Sequence, residues 1–403
     1  MNTPLDIPGR ARRLDCRLAV IASCFLSVVA PHGASAVGAR RAGNLISVTL
    51  DGKPEVVIPP TAFNCQGHER AVPDTPDVQV NMFHDAGGRI HVFAHNHLNF
   101  AFIEMASGRI VHPDCTPMLD SRLDPDPRAF ADREWLTSPY TVDGKLVYSL
   151  IHDEYWGSLH QRPGCKPLDR AHGIQSCFYV AMTLARSLDG GNHFESLYNG
   201  GQSFVATVPY RFAPAMTRAG YGNPSNIIRD RRDGNFYVFF EAFDYLAQHA
   251  GTCLMRSADL LHWRYWNGTS FDGVFVNPYA ASADASQHVC AVVMSQLLSS
   301  VVHHRVADLF VGVIPRPRYM GGGVALTSSS DLLNWSAPVL TMPDPPGGLV
   351  SYPSLIEPDL NEAGRNFENI DDHPYLYYVL LTGRQRTVMR VRLKLGTSPR
   401  SGL

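Results

Sequence analysis

Residues 220–266, GYGNPSNIIRDRRDGNFYVFFEAFDYLAQHAGTCLMRSADLLHWRYW, read as one complete four-stranded antiparallel sheet. Asn223–Ile228 is predicted as a short strand, followed by a turn at Arg232-Asp233-Gly234-Asn235, where glycine can take positive φ. Phe236–Phe240 is aromatic and β-branched throughout, the pattern of a strand buried on both faces. Cys253–Ser257 and Trp263–Trp266 supply the third and fourth strands. A sheet this small cannot bury both faces alone, so it should pack on copies of itself.

The copies are visible in the turns. Ser-x-Asp-Leu-Leu-x-Trp occurs at Ser257, Asp259 and Trp263 and again at Ser329, Asp331 and Trp335. A variant stands at Ser187, Asp189, Gly190, Gly191 and Phe194, so the three serines lie 70 and 72 positions apart. A second element, x-Pro-Ser followed by Ile, opens at Asn223 and at Tyr352. A unit of four strands with long loops fills such a period. Counting outward, strands near 77–104, 135–194, 223–266, 288–335 and 352–395 give five units, the last one strand short. The N-terminal strand at Asn44–Leu50 is expected to complete it. The predicted fold is therefore an all-β, five-bladed β-propeller whose ring is closed by an N-terminal strand, which removes exposed strand edges. Outside the N-terminal apolar run, no sustained i, i+3, i+4, i+7 pattern argues for helices.

Arg10, Arg12, Arg13 and Arg17, then an apolar run from Leu18 to Ala30 and Ala34-Ser35-Ala36, read as a secretory signal over residues 1–36. Residues 37–403 are then a single propeller domain, secreted or periplasmic, with no membrane attachment after cleavage and a monomeric state. Removing the signal leaves six cysteines, for which the expected pairs are Cys65–Cys115, Cys165–Cys177 and Cys253–Cys290. A net charge of −2 with 18% charged residues offers no electrostatic case for nucleic acid. Walker, HExxH, GxSxG and strand-linked GxGxxG patterns do not occur.

The Ser-x-Asp-Leu-x-x-Trp turns, together with x-Pro-Ser inner strands leading into Asp-Gly and an aromatic strand, resemble the five-bladed propeller glycoside hydrolases, the arabinanase, β-xylosidase and invertase relatives. The turn at Ser187–Phe194 is similar to the Asp-box of sialidases. The resemblance implies a carbohydrate substrate and three carboxyls: an Asp base on the first inner strand, a tuning Asp on the third and a Glu acid on the fourth. Here the first strand offers Asp74 and Asp77, the third carries Asn223 before its proline, and the fourth offers His288 and no Glu.

Inner strands of a propeller begin near the central channel, so Asp74, Asp77, Asn223, His288 and Tyr352 are expected to converge there, with Ser225 as a further substrate contact. His152-Asp153-Glu154-Tyr155-Trp156 follows a buried apolar strand and is expected at its end, opening into an insertion that reaches Gln175. Glu154 is a candidate acid, its pKa raised by burial beside Trp156, with His152, Tyr155 and Trp156 as sugar contacts. Glu241 either lines the channel or pairs with Arg229. His95 and His97, with His288 or His249, are acid–base or metal candidates against the commoner structural role. Asp189, Asp259 and Asp331 are expected to bond their own turn amides rather than act on substrate. The leading expectation is an exported glycoside hydrolase with Asp77 or Asp74 as base and Glu154 or His288 as acid. The alternatives are a polysaccharide lyase using His152, Tyr155 and His288, and a sugar-binding propeller without activity. No cofactor is required, with Ca²⁺ in the channel left open.

Overall fold

The computed structural model describes residues 45–60, 76–104, 110–111, 116–166, 176–197, 204–214, 216–280 and 285–397, and its regular elements are strands apart from a four-residue helix and short 3-10 turns. The expected signal segment, Asp74 and the Cys65–Cys115 pair lie outside those residues.

The strands Phe236–Ala242, Gly251–Ser257 and Trp263–Tyr265 pair antiparallel in the expected order, with Phe236 opposite Ser257 and Ser257 opposite Trp263. The innermost strand starts earlier than expected, at Arg218–Gly222, and pairing resumes at Ile228–Arg229. Between them Asn223 takes φ 46° and Pro224 has no N–H to give, so the x-Pro-Ser stretch leaves the ladder instead of continuing it.

Four further groups of strands follow the same plan. The first holds Asn81–His84, Ile90–Phe93, Phe102–Glu104 and Ile110–Val111. The second holds Arg133–Thr141, Val147–Trp156, Phe178–Ser187 and Glu195–Ser196. It joins the third, the 218–265 group, through parallel pairing of Arg218–Gly220 with Phe178–Val180, giving one nine-stranded sheet. The fourth holds Ser300–His304, Leu309–Pro315, Val324–Ser329 and Val339–Met342. The fifth holds Leu349–Ile356, Tyr375–Thr382 and Gln385–Thr397, and the N-terminal strand Leu45–Leu50 adds to its outer edge, Leu50 opposite Leu393.

Two boundaries depart from expectation. Val147–Trp156 is a ten-residue strand, so His152–Trp156 belongs to the sheet and not to the insertion. The apolar run His288–Met294 is not the inner strand of the fourth group, which begins at Ser300. It lies along Gly251–Ser257 instead, held by Thr252 N donating to Met294 O at 2.7 Å, by Val293 N donating to Thr252 O at 2.8 Å, and by the Cys253–Cys290 disulfide. Cys165–Cys177 is also formed, closing a separation of 12 residues.

Each hydrophobic core is shared by two groups. Phe83, Phe93, Leu136 and Ile151 fill the space between the first and second. Leu150, Tyr179, Tyr221 and Phe240 fill that between the second and third, and Phe239, Leu254, Val301 and Phe310 that between the third and fourth. Val311, Leu326, Leu376 and Val391 lie between the fourth and fifth, and Val80, Val92, Ile356 and Val379 between the fifth and first. Burying each such side chain contributes ~1.5–3 kcal/mol, so the packing of group on group is what holds the small sheets folded.

Side-chain bonds link the groups in the same succession. His95 Nε2 pairs with Leu136 O at 2.9 Å, Ser138 Oγ donates to Ser225 O, and Asn226 Nδ2 donates to Val301 O at 2.7 Å. Ser299 Oγ donates to Pro353 O at 2.7 Å and Tyr352 OH to Asp77 Oδ1 at 2.8 Å.

The three Ser-x-Asp turns share one plan, with the turn at Asp189 one residue longer. Asp259 Oδ1 accepts from the N–H groups of Leu261 and His262 at 2.9 and 2.8 Å, Asp331 Oδ1 from Leu333 and Asn334 at 2.9 and 2.7 Å, and Asp189 Oδ1 from Asn192 and His193, both at 3.0 Å. The residue after each aspartate is left-handed: Leu260 at φ 67°, Leu332 at 66° and Gly190 at 76°. Trp263 and Trp335 seal their turns by donating Nε1–H to Leu260 O and Leu332 O.

Candidate active site

Alternation along Val147–Trp156 sorts the HDEYW cluster onto two faces. His152 and Glu154 line a cavity of about 50 Å³ together with Asp77, Gln79, Trp135, Thr137, Asn223 and Tyr352. That is room for a few water molecules. Asp153 and Tyr155 face the other way. Tyr155 OH donates to Pro125 O at 3.1 Å and accepts from Arg162 Nε at 2.8 Å, so it packs in the sheet's far layer. Trp156 is buried against Phe178 and reaches the site only through its N–H.

The inner strands deliver their residues through three x-Pro steps. Ser138, Asn223 and Tyr352 sit at φ 49°, 46° and 50°, each directly before a proline. A side chain held in this region costs on the order of 1–3 kcal/mol, so packing must over-determine it. Each step aims a group at a neighbouring strand group. Tyr352 OH reaches Asp77, Ser138 Oγ reaches Ser225 O, and the backbone N–H of Asn223 donates to His152 Nδ1 at 3.0 Å.

That last bond settles the tautomer of His152. A backbone N–H can only donate, so Nδ1 is the acceptor nitrogen and the ring proton sits on Nε2. Nε2 then donates to Glu154 Oε1 at 2.9 Å, while Trp156 Nε1–H donates to Glu154 Oε2 at 3.0 Å. Burial alone would push the Glu154 carboxyl up. The His152 and Trp156 hydrogen bonds and the Arg218 charge outweigh it, and Glu154 lies below its ordinary value. The expectation that burial beside Trp156 raises it is therefore corrected: the indole contributes a donor to the charged form.

Asp77 behaves in the opposite way. Burial pushes its carboxyl above the ordinary value, against Arg386 and the Tyr352 hydroxyl, which draw it down, and the Glu154 charge adds to the rise. Arg386 Nη1 bonds Asp77 Oδ1 and also Pro76 O, the latter at 2.9 Å. Asp77 N donates to His95 O at 3.3 Å, which is the contribution of His95: its buried ring pairs with Leu136 O and does not line the cavity.

A wider cleft of about 730 Å³ adjoins this cavity, lined in part by Arg218, Glu241, Phe243, Gln296 and Tyr319. The two meet at Asn223, whose Nδ2 donates to Glu241 Oε2 at 2.5 Å. Glu241 pairs with Arg218 at 3.7 Å and not with Arg229, which lies at the opposite end of the inner strand. The Arg218 guanidinium stacks 3.5 Å from the Phe243 ring centre.

Other expected residues fall elsewhere. Ser225 is fully buried and serves the backbone, donating to Asn226 O and accepting from Phe239 N. His288 pairs with Val274 O at 3.2 Å, away from the cavity, because its segment follows Gly251–Ser257. The His152–Tyr155–His288 set of the lyase alternative is thus not assembled. Among the described residues, no group of three or more His, Cys, Asp or Glu side chains gathers in a metal-binding arrangement. The residues that sequence reading missed are Gln79, Trp135, Thr137, Arg218 and Arg386. A third x-Pro step, Ser138-Pro139, was the available signal for the strand carrying Trp135 and Thr137; Arg386 lies next to a hairpin turn with no motif around it.

No protein-family model matches the chain, and no curated protein does. Among solved structures, the chain is similar to a thermostable family-43 glycoside hydrolase at 14% identity and TM-score 0.44, covering 82% of this chain and 98% of that one. It is similar to the α-L-arabinanase of Cellvibrio cellulosa complexed with arabinohexaose at 12% identity and TM-score 0.43, covering 80% and 92%. A family-32 β-fructofuranosidase of Bombyx mori matches at 11% identity and TM-score 0.43, covering 87% and 66%. These likenesses concern the course of the chain; the chemistry below rests on its own side chains.

Proposed function

We propose that residues 37–403 form one five-bladed propeller, exported and monomeric, that cleaves glycosidic bonds where the cavity lined by Asp77 and Glu154 adjoins the wider cleft. Among the described residues, five strand groups, a core between each neighbouring pair and a succession of side-chain bonds running from first to fifth and back to first are what a ring requires. The addition of Leu45–Leu50 to the last group supports closure by the N-terminal strand. The disulfides Cys165–Cys177 and Cys253–Cys290 fit an oxidising compartment.

The observation that carries the chemistry is a pair of carboxyls on different groups, facing one cavity, with environments that push them apart. Such a pair supplies an acid and a base. Glu154, with both oxygens accepting N–H bonds, is the charged member and acts as base or nucleophile at the anomeric side. Asp77, whose carboxyl burial raises, takes the acid's part and passes a proton to the leaving oxygen; Arg386 and Tyr352 stabilise the carboxylate left behind. This reverses the roles expected from the sequence. The adjoining cleft, with the open ring of Tyr319 at its rim, takes the remainder of the glycan.

The test is release of reducing ends from a broad panel of oligo- and polysaccharides. Glu154→Gln and Asp77→Asn should each remove turnover while leaving the circular dichroism unchanged. Full turnover in both variants overturns the assignment. An ultraviolet-absorbing unsaturated product would indicate a lyase, and binding without any product would indicate a sugar-binding propeller.

A further inference from the structure

The inner strands have a second end, and a second cavity lies there. Tyr140, Arg229, Arg231, Arg365 and Glu368 contribute to the lining of a space of about 410 Å³, remote from Asp77 and Glu154 along the same strands. Three guanidiniums meet one carboxylate. Glu368 is already engaged: its Oε2 accepts from the Arg229 backbone N–H at 3.0 Å and its Oε1 from Tyr140 OH at 3.3 Å.

The arginines are held in place largely by neutral groups. Arg229 Nε donates to Gly234 O at 3.1 Å, and its guanidinium lies 5.4 Å from the centre of the Phe236 ring. Arg365 Nη1 donates to the carbonyl oxygens of His84 and Asp85, both at 3.1 Å. Backbone carbonyls and an aromatic face orient a guanidinium without cancelling its charge. Even with Glu368 ionised, the lining keeps an excess of two positive charges in a partly enclosed space, where the field of fixed charges is focused. The remaining N–H donors of a planar guanidinium match the two oxygens of a carboxylate, sulfate or phosphate.

We propose that this cavity binds an oxyanion group carried on a small polar molecule, such as an acidic sugar. The space is about an order of magnitude larger than the ~30 Å³ share of one water, so it accommodates a body beyond the anionic group itself. The binding site is separate from the cleavage site, and its occupancy does not depend on the reaction proposed there.

Calorimetric titration of the full-length protein with glucuronate and with inorganic phosphate tests this directly, with glucose as the neutral comparison. One site is expected for an anionic probe and none for glucose at the same concentration. Arg231→Ala, an exposed position whose loss should leave the fold intact, should weaken binding at least tenfold. Glu368→Gln removes the lone negative charge, keeps an acceptor for Tyr140, and should tighten binding. Arg318→Ala, outside this cavity, should change nothing. Glucuronate binding more tightly than phosphate would identify a carboxylate site, and the reverse a phosphate site; either supports the proposal. Failure of both anions to bind the unaltered protein, or equal affinity in the Arg231→Ala and Arg318→Ala variants, overturns it.

Discussion

Asp259 and Glu154 are both carboxylates whose two oxygens each accept N–H hydrogen bonds, yet they do different work. Asp259 takes its donors from Leu261 and His262 within its own turn, whereas Glu154 takes them from Trp156 and from His152, which a neighbouring strand group holds in place. The turn is complete within seven residues. The site needs the backbone N–H of Asn223, 71 positions from the histidine it orients. Local bonding makes the turn repeatable and chemically idle; distant bonding makes the cavity singular and tunable.

The largest effects should come from the cavity. Glu154→Gln and Asp77→Asn should each lower kcat by roughly 10²–10⁴-fold, the usual worth of a positioned acid or base, at unchanged melting temperature within a few degrees. Gly222→Ala sharpens the contrast without touching a carboxyl. A Cβ at 222 would stand 2.6 Å from His152 Cε1 and 2.7 Å from Nδ1, so the imidazole must move. Activity should fall by about 10²-fold, the scale of a 1 Å misplacement, with the loss mainly in kcat. A substitution this small that left turnover intact would show that His152 does not hold Glu154.

Arg386→Met should act on the pH profile before the rate. The Arg386 charge and hydrogen bond draw Asp77 down, so removing them should raise the Asp77 carboxyl further and move the alkaline limb of kcat/KM to higher pH. The acid limb, set by Glu154 below its ordinary value, should stay in place. Movement of both limbs together would mean the two carboxyls are not assigned to separate roles.

The smallest effects belong to the turns. Asp259→Ala should cost about 1 kcal/mol of stability, since its side chain is half-exposed and its bonds are net modest, and should leave kcat unchanged. The acid behaviour follows the same bonds. Burial would raise Asp259 and Asp189, but hydrogen bonds from His262 and His193 and from turn amides draw both down to about 2. A carboxyl depressed in the folded state stabilises it above the ordinary value of 3.8 and loses that contribution as the pH falls from there through about 2. Thermal scans between pH 5 and pH 2 should therefore show a smaller drop for Asp259→Ala than for the unaltered protein.

The same division governs how much was legible in the residues. The Ser-x-Asp turns, the aromatic strand at 236–240 and the addition of the N-terminal strand to the last group each rest on interactions between near neighbours or on a repeated pattern. Asp77, Asn223 and Tyr352 could be nominated because each stands on or beside an inner strand, and His152 and Glu154 because they follow a buried apolar run. The arginines that attend them, Arg386 and Arg218, could not. Whether Glu154 sits in a loop or a strand turned on five residues of ladder, and His288 was misplaced because an apolar run looks the same along a neighbour's edge as inside a sheet.

Composition and spacing determined that this chain builds small β-sheets in series, since alternation, turn chemistry and repeated apolar runs act over a few residues. Only the tertiary structure decided that Asp77 is raised and Glu154 lowered, and that Arg386 and Arg218 attend them. A carboxyl's protonation depends on burial and on charges within a few ångströms, and both arginines reach their carboxyls from strands far apart in number.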